Sequence, residues 1–204
     1  MTGNAFRAGL RGGFEWSNLY LKSIAHDYHG KSRPAFQVCL VGEYDIMETV
    51  ALQTGLGYYE LKTHATDPLS NDPVVLDIMM RGIQVPFLLQ PHFSYGEMDI
   101  YGSFGMYAGW MISGKESMSG AGADTLYSSS VSFQSSSGQF IRKRMDVGML
   151  AGGGVEYNGF TIGVWYTSGL TNFSVAPDMA GTKNISLLVG YMIGEKDGRL
   201  RRRR

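Results

Sequence analysis

Between Asp99 and Ser113 the chain alternates. Ile100, Gly102, Phe104, Met106, Ala108, Trp110 and Ile112 share one parity; Asp99, Tyr101, Ser103, Gly105, Tyr107, Gly109, Met111 and Ser113 share the other. A period of two marks a strand with one oily face and one more polar face. The rhythm recurs over roughly 6–16, 35–46, 49–61, 82–93, 140–157, 160–172 and 184–193. A soluble sandwich also produces it, so the connections decide. Short turns at 45–48, 94–97 and Asn158–Gly159 alternate with long polar stretches at 18–34, 61–81 and 114–139. Asn-Gly between alternating runs is a strong hairpin signal. Long loops at one end and tight turns at the other favour a membrane barrel, oily outside and polar inside. The expected class is all-β, an eight-stranded antiparallel up-and-down transmembrane β-barrel over residues 1–194.

Composition narrows this further. The 204 residues hold 18 Lys plus Arg against 18 Asp plus Glu, which gives no footprint for nucleic acid. Twenty-eight glycines, 12 tyrosines and 10 phenylalanines suit strands that bend, pack closely and end in aromatic girdles. Cys39 is the single cysteine, so neither an intrachain disulfide nor a cysteine-based zinc site can form. The longest oily runs, such as Val85–Leu89, fall far short of the ~20 residues of a membrane-spanning helix. A mean hydropathy of -0.10 suits a barrel, where only alternate residues meet lipid. Met1–Asn4 leads almost directly into the first strand, as expected of a processed chain whose secretory leader has been removed or replaced.

The polar parity carries charges of both signs. Arg7, Arg11, Arg142 and Arg144 are expected to face Glu15, Glu43, Asp45, Asp99, Asp146 and Glu156 across the lumen. Eight strands enclose a space that side chains fill, and buried charges must pair, so the expectation is a plug of salt bridges. Trp16, Tyr44, Tyr58, Trp110, Tyr157, Phe160 and Tyr191 sit near strand ends on the oily parity, as membrane-interface aromatics. Tyr101, Trp165 and Cys39 fall on the inward parity. Pro86 and Pro91 remove ladder donors and predict a bulge or kink in the fourth strand. Val74–Met80 reads as a short helix or an extra strand, and Tyr127–Phe133 as an extension of the strands beyond the membrane. Gly152–Gly154 lacks a following lysine, so it marks curvature or close packing rather than a phosphate loop. His26 and His29 form only a weak metal candidate, and no nucleophile elbow or spaced triad is present. No catalytic residue, cofactor or metal is expected.

Phe6–Leu10, Ile83–Leu89, Tyr107–Trp110, Asp146–Glu156, Tyr166–Asn172 and Gly190–Ile193 follow one another in an order that resembles the PorT-like small outer-membrane barrels of Bacteroidetes. The resemblance covers most of the chain outside the loops, and in that family a proline in the fourth strand is usual. It implies the fold and the membrane far better than any activity. Some relatives belong to protein-secretion machinery.

The expectation is a non-enzymatic barrel, integral to a bacterial outer membrane, acting as anchor, scaffold or recognition subunit. Its partners would be outer-membrane lipid and an envelope protein complex. An even strand count puts both termini beside the short turns, on the periplasmic side, with loops 19–33, 62–81 and 115–139 extracellular. Residues 195–204, ending in four arginines, read as a basic periplasmic tail or a remnant of added sequence. The tail is either solvated or a hook for an anionic partner. Two alternatives stay open: a narrow ion or small-solute pore, and a soluble lipocalin-like ligand-binding barrel.

Overall fold

The computed structural model describes residues 5–22, 29–66, 75–119, 125–130, 144–171 and 179–194. Arg142, His26 and the tail 195–204 lie outside them, and His29 opens the second strand.

The described strands are β1 (Phe6–Lys22), β2 (His29–Met47), β3 (Val50–Thr66), β4 (Val75–Tyr95), β5 (Met98–Ser119), β6 (Thr125–Ser130), β7 (Met145–Tyr157), β8 (Phe160–Gly169) and β9 (Met179–Ile193). Each pairs antiparallel with its neighbours in the order β4-β3-β2-β1-β9-β8-β7-β5, and β4 pairs with β5, so eight strands close a barrel. Closure removes the free edges that an open sheet would present. The short β6 stands apart from this ring. It pairs with Lys115–Ser119, beyond the part of β5 that pairs with β7.

Three two-residue turns lie at one end. Met47 pairs with Val50, Tyr95 with Met98 and Tyr157 with Phe160. Asn158 and Gly159 both have positive φ (48° and 85°), the twist that a two-residue hairpin needs. The barrel's first and last strands also begin and end here, with Ala8 opposite Ile193.

The strands are longer than the alternation predicts. Val75–Met80 is neither a helix nor a separate strand; it is the first part of β4, laddered to both β3 and β5. Ser113–Ser119 likewise continues β5. Pro86 and Pro91 interrupt the ladder without shifting register. Pairing of β4 with β3 skips from Phe87 to Gln84, and with β5 from Leu89 to His92. The expected bulge lies instead at Arg81/Gly82. A second irregularity separates Ser32 from Gln37 in β2, around Pro34. There β1 reaches past β2 to β3: the Ser17 hydroxyl accepts from the Lys62 N–H and donates to the Lys62 carbonyl, each at 2.8 Å.

The oily parity faces out. Phe14 is 62 % exposed and Phe160 67 %, and Leu10, Leu40, Phe87, Phe104, Ile162 and Val189 are also exposed. On β1 this face runs from Phe6 to Trp16, about 33 Å along the strand, which at the usual tilt spans an apolar band of about 25 Å. The inner parity carries arginine, glutamate, glutamine and aspartate. A soluble ligand-binding barrel needs the opposite polarity, so that alternative falls.

Candidate functional site

The lumen is layered. Nearest the short turns, Arg7 on β1 is 2 % exposed and lies between two carboxylates. Its Nη1 donates to Glu156 Oε1 on β7 at 2.7 Å, and its Nη2 donates to Glu43 Oε2 on β2. Four residues further along β1, Arg11 Nη2 donates to Glu43 Oε1 at 2.9 Å and Nη1 to Gln53 Oε1 at 3.1 Å. Gln90 Nε2 donates to the same Glu43 oxygen at 3.0 Å, and its own amide oxygen accepts from Ser103 at 3.1 Å. The network ties β1, β2, β3, β4, β5 and β7 across the barrel. It exists because β1 brings inward residues four apart, Arg7 and Arg11, to opposite sides of Glu43, with which Arg7 pairs in register. Asp45, Asp99 and His92 are buried at the same end.

Above this layer the Arg11 guanidinium sits 5.4 Å from the ring centres of both Tyr101 and Trp165, whose rings lie 6.2 Å apart. Cation–π attraction of this kind is stronger away from water. Leu88, Tyr107, Leu150 and Leu188 pack with the two rings. The β7 glycines make room for them. A Cβ on Gly152 would come within 2.6 Å of the Trp165 ring, and one on Gly154 within 2.7 Å of the Tyr101 hydroxyl. A cavity of about 30 Å³ lies beside Arg11, Gln53, Gln84 and Trp165, room for only a few water molecules.

Towards the loops, Asp146 accepts from the Tyr107 hydroxyl at 2.7 Å and lies 3.2 Å from Thr171 Oγ1. Glu15 is buried too, and its Oε1 has no hydrogen-bond partner. Inward Leu61, Met80 and Met111 fill the β3–β5 side of this mouth.

Of the ten charged residues singled out in the sequence, the structure joins Arg7, Arg11, Glu43 and Glu156 in one network. Asp146 and Glu15 stand apart from it, and Asp45 and Asp99 are buried at the turn end. Arg144 departs from the expectation of a lumen charge. It precedes β7, its carbonyl accepts from the Met111 N–H at 2.8 Å, and its side chain is exposed at the mouth. Alternation ends where the strand does, so parity does not reach it. Gln53, Ser103 and Tyr107 complete the lumen contacts without having been singled out. Their signal was polar residues on the inward parity.

All seven aromatics expected at the interface lie on the outward face. Tyr44, Tyr157, Phe160 and Tyr191 stand near the short turns; the Phe160 and Tyr191 rings meet edge-on at 4.9 Å. Trp16, Tyr58 and Trp110 stand towards the loops, with Tyr58 and Trp110 both paired to Ile83. Among the described residues no three His, Cys, Asp or Glu side chains cluster as metal ligands would.

Residues 2–175 match the family model described as outer membrane protein beta-barrel domain. Among solved structures, the chain is similar to the outer membrane protein OprG from Pseudomonas aeruginosa, at 17 % identity and a TM-score of 0.50, over 93 % of this chain and 97 % of that one. It is also similar to Ail, the attachment invasion locus protein of Yersinia pestis, at 16 % identity and a TM-score of 0.40, over 92 % and 99 % of the two chains. No curated protein matches the sequence.

Proposed function

The chain belongs to the outer membrane protein beta-barrel domain family, and we propose that it is a non-enzymatic barrel with a closed lumen that anchors or recognises a partner within an envelope complex. One observation carries the closed lumen. The Arg7–Glu43–Arg11 network and the Tyr101–Trp165 layer occupy successive levels, and the cavity beside Arg11, about 30 Å³, has room for only a few water molecules. Charges so buried cost several kcal/mol each to desolvate and persist only when paired. A pore would need a continuous wet path through both levels.

Absence of turnover follows from the same arrangement. Of the lumen carboxylates, Glu43 and Glu156 are tied to arginines and Asp146 to Tyr107, below the mouth, which leaves none of these three free for acid–base work. That leaves the outward surface and the loops for recognition. We assign the short turns and both ends of the barrel to the periplasm and the longer connections to the outside, as bacterial barrels arrange them. Within the family, the ordered segments from Phe6–Leu10 to Gly190–Ile193 favour the PorT-like group.

The test is purification of the tagged protein from its own outer membrane in mild detergent, with mass spectrometry of what accompanies it. A stoichiometric envelope protein is the expected result. A barrel that emerges alone at every detergent strength contradicts the subunit reading.

A further inference from the structure

We propose that the loop-side rim of β2–β5 is a binding belt for phosphate-bearing head groups of the outer-leaflet lipid. The belt starts where the apolar band stops. On β3, Tyr58 is followed on the same outward face by Glu60, Lys62 and His64, which alternate with buried Leu61 and Thr63. On β4, Arg81 and Asp77 alternate with buried Ile78, Met80 and Gly82. Lys31 pairs with His64 and Lys115 with Met79, which extends the belt onto β2 and β5.

The belt lies two to six residues beyond the Tyr58–Ile83–Trp110 row, a height of about 5 to 15 Å on a tilted strand. The head-group layer begins at that depth, outside a hydrocarbon core of about 30 Å. Its anionic groups would therefore meet these side chains directly.

The charge count on this wall is unequal. Lys31, Arg33, Lys62, Arg81 and Lys115 face two described carboxylates, Glu60 and Asp77. Lys62 and Arg81 approach Glu60 at 2.9 and 3.1 Å, and Arg33 lies 3.9 Å from Asp77. The Arg33–Asp77 pair is exposed and weak, and the half-exposed Arg81 and Lys62 side chains at Glu60 can turn to a competing anion. Phosphate accepts paired N–H donors from a guanidinium, and Arg33 and Arg81 offer that geometry. The opposite rim is different: Glu48 and Glu97 are exposed there, and no lysine or arginine is exposed among its described residues. The belt is thus specific to one leaflet, and to charge rather than to lipid in general.

The experiment places the purified barrel in phosphatidylcholine nanodiscs containing a dansyl-labelled lipid with a phosphomonoester head group, or the same lipid without the phosphate. Energy transfer from Trp16 and Trp110, just below the belt, reports local enrichment. At low salt we expect the phosphorylated lipid to be enriched by about fivefold or more, since each cation near an anionic surface contributes severalfold. The R33Q/K62Q/R81Q variant should bring the two lipids near parity, and about 0.5 M salt should do the same to the wild type. Equal transfer from both lipids, or enrichment that survives the triple variant, overturns the proposal. So does a soluble sulfated oligosaccharide that binds through the same residues while the lipids show no preference. Heat-modifiable electrophoretic mobility checks folding. If the triple variant fails that check, Arg81→Gln alone and the salt titration decide.

Discussion

Glu43 accepts hydrogen bonds from Arg7, Arg11 and Gln90 at once. Removing it leaves two buried arginines short of their shared anion, and breaking a buried pair from one side typically costs about 3 to 5 kcal/mol. Glu43→Ala should therefore lower unfolding stability in urea, measured on the barrel in lipid vesicles, by about that amount. Glu60→Ala, whose partners Arg81 and Lys62 lie at the outer surface, should cost about 1 kcal/mol or less. Equal losses would show that burial does not govern these pairs. Ser17→Ala forfeits both bonds to Lys62, and leaving that backbone unsatisfied should cost about 1 to 3 kcal/mol in the same assay. Which charges face inward was legible from parity within the strands, but not for Arg144, which precedes β7 and is exposed. Which of them touch was not, because Arg7 meets Glu156 only once β1 and β7 are set across a closed lumen. The Ser17–Lys62 contact was invisible for a similar reason: it depends on β2 leaving the ladder near Pro34.

At the scale of the strand, β7 shows how glycine and aromatic residues divide the lumen between them. Gly148, Gly152 and Gly154 lie on the inward parity, opposite the rings of Tyr107, Trp165 and Tyr101. Gly152→Val would press on Trp165 and should destabilise the barrel by about 1 to 3 kcal/mol. In a double-mutant cycle, Trp165→Ala should relieve part of that loss, giving a coupling above about 0.5 kcal/mol. Additive losses would mean that the two positions do not compete for space. The glycine cluster signalled close packing in the sequence, but not its partner ring. The strands' core segments were legible, since lipid on one side and a polar lumen on the other force a period of two. Their outer ends were not. Ser113–Ser119 and Thr125–Ser130 stand beyond the lipid-facing band, where no oily face is required, so the alternation fades while the hydrogen-bonded ladder continues. Pro86 and Pro91 predicted distortion, yet each loses its bond on one side only and the register holds.

For the whole molecule, one physical statement links surface and interior: the oily residues are outside and the charges are inside. An apolar girth bounded by aromatic rows fits a barrel of the outer membrane, and the proposed closed lumen, with paired charges and two tilted rings inside, would leave the outer surface to act. Arg11 and Trp165 together hold the middle layer. The Arg11→Ala/Trp165→Ala variant should consequently admit ions where the wild type does not, provided that the variant still folds by its heat-modifiable mobility. The most direct test is conductance of the purified wild-type barrel in a planar lipid bilayer at high salt. A closed lumen predicts a baseline without steady current at moderate voltage. A steady current that scales with salt concentration would contradict it, and would make the charged lumen a pathway instead of a plug.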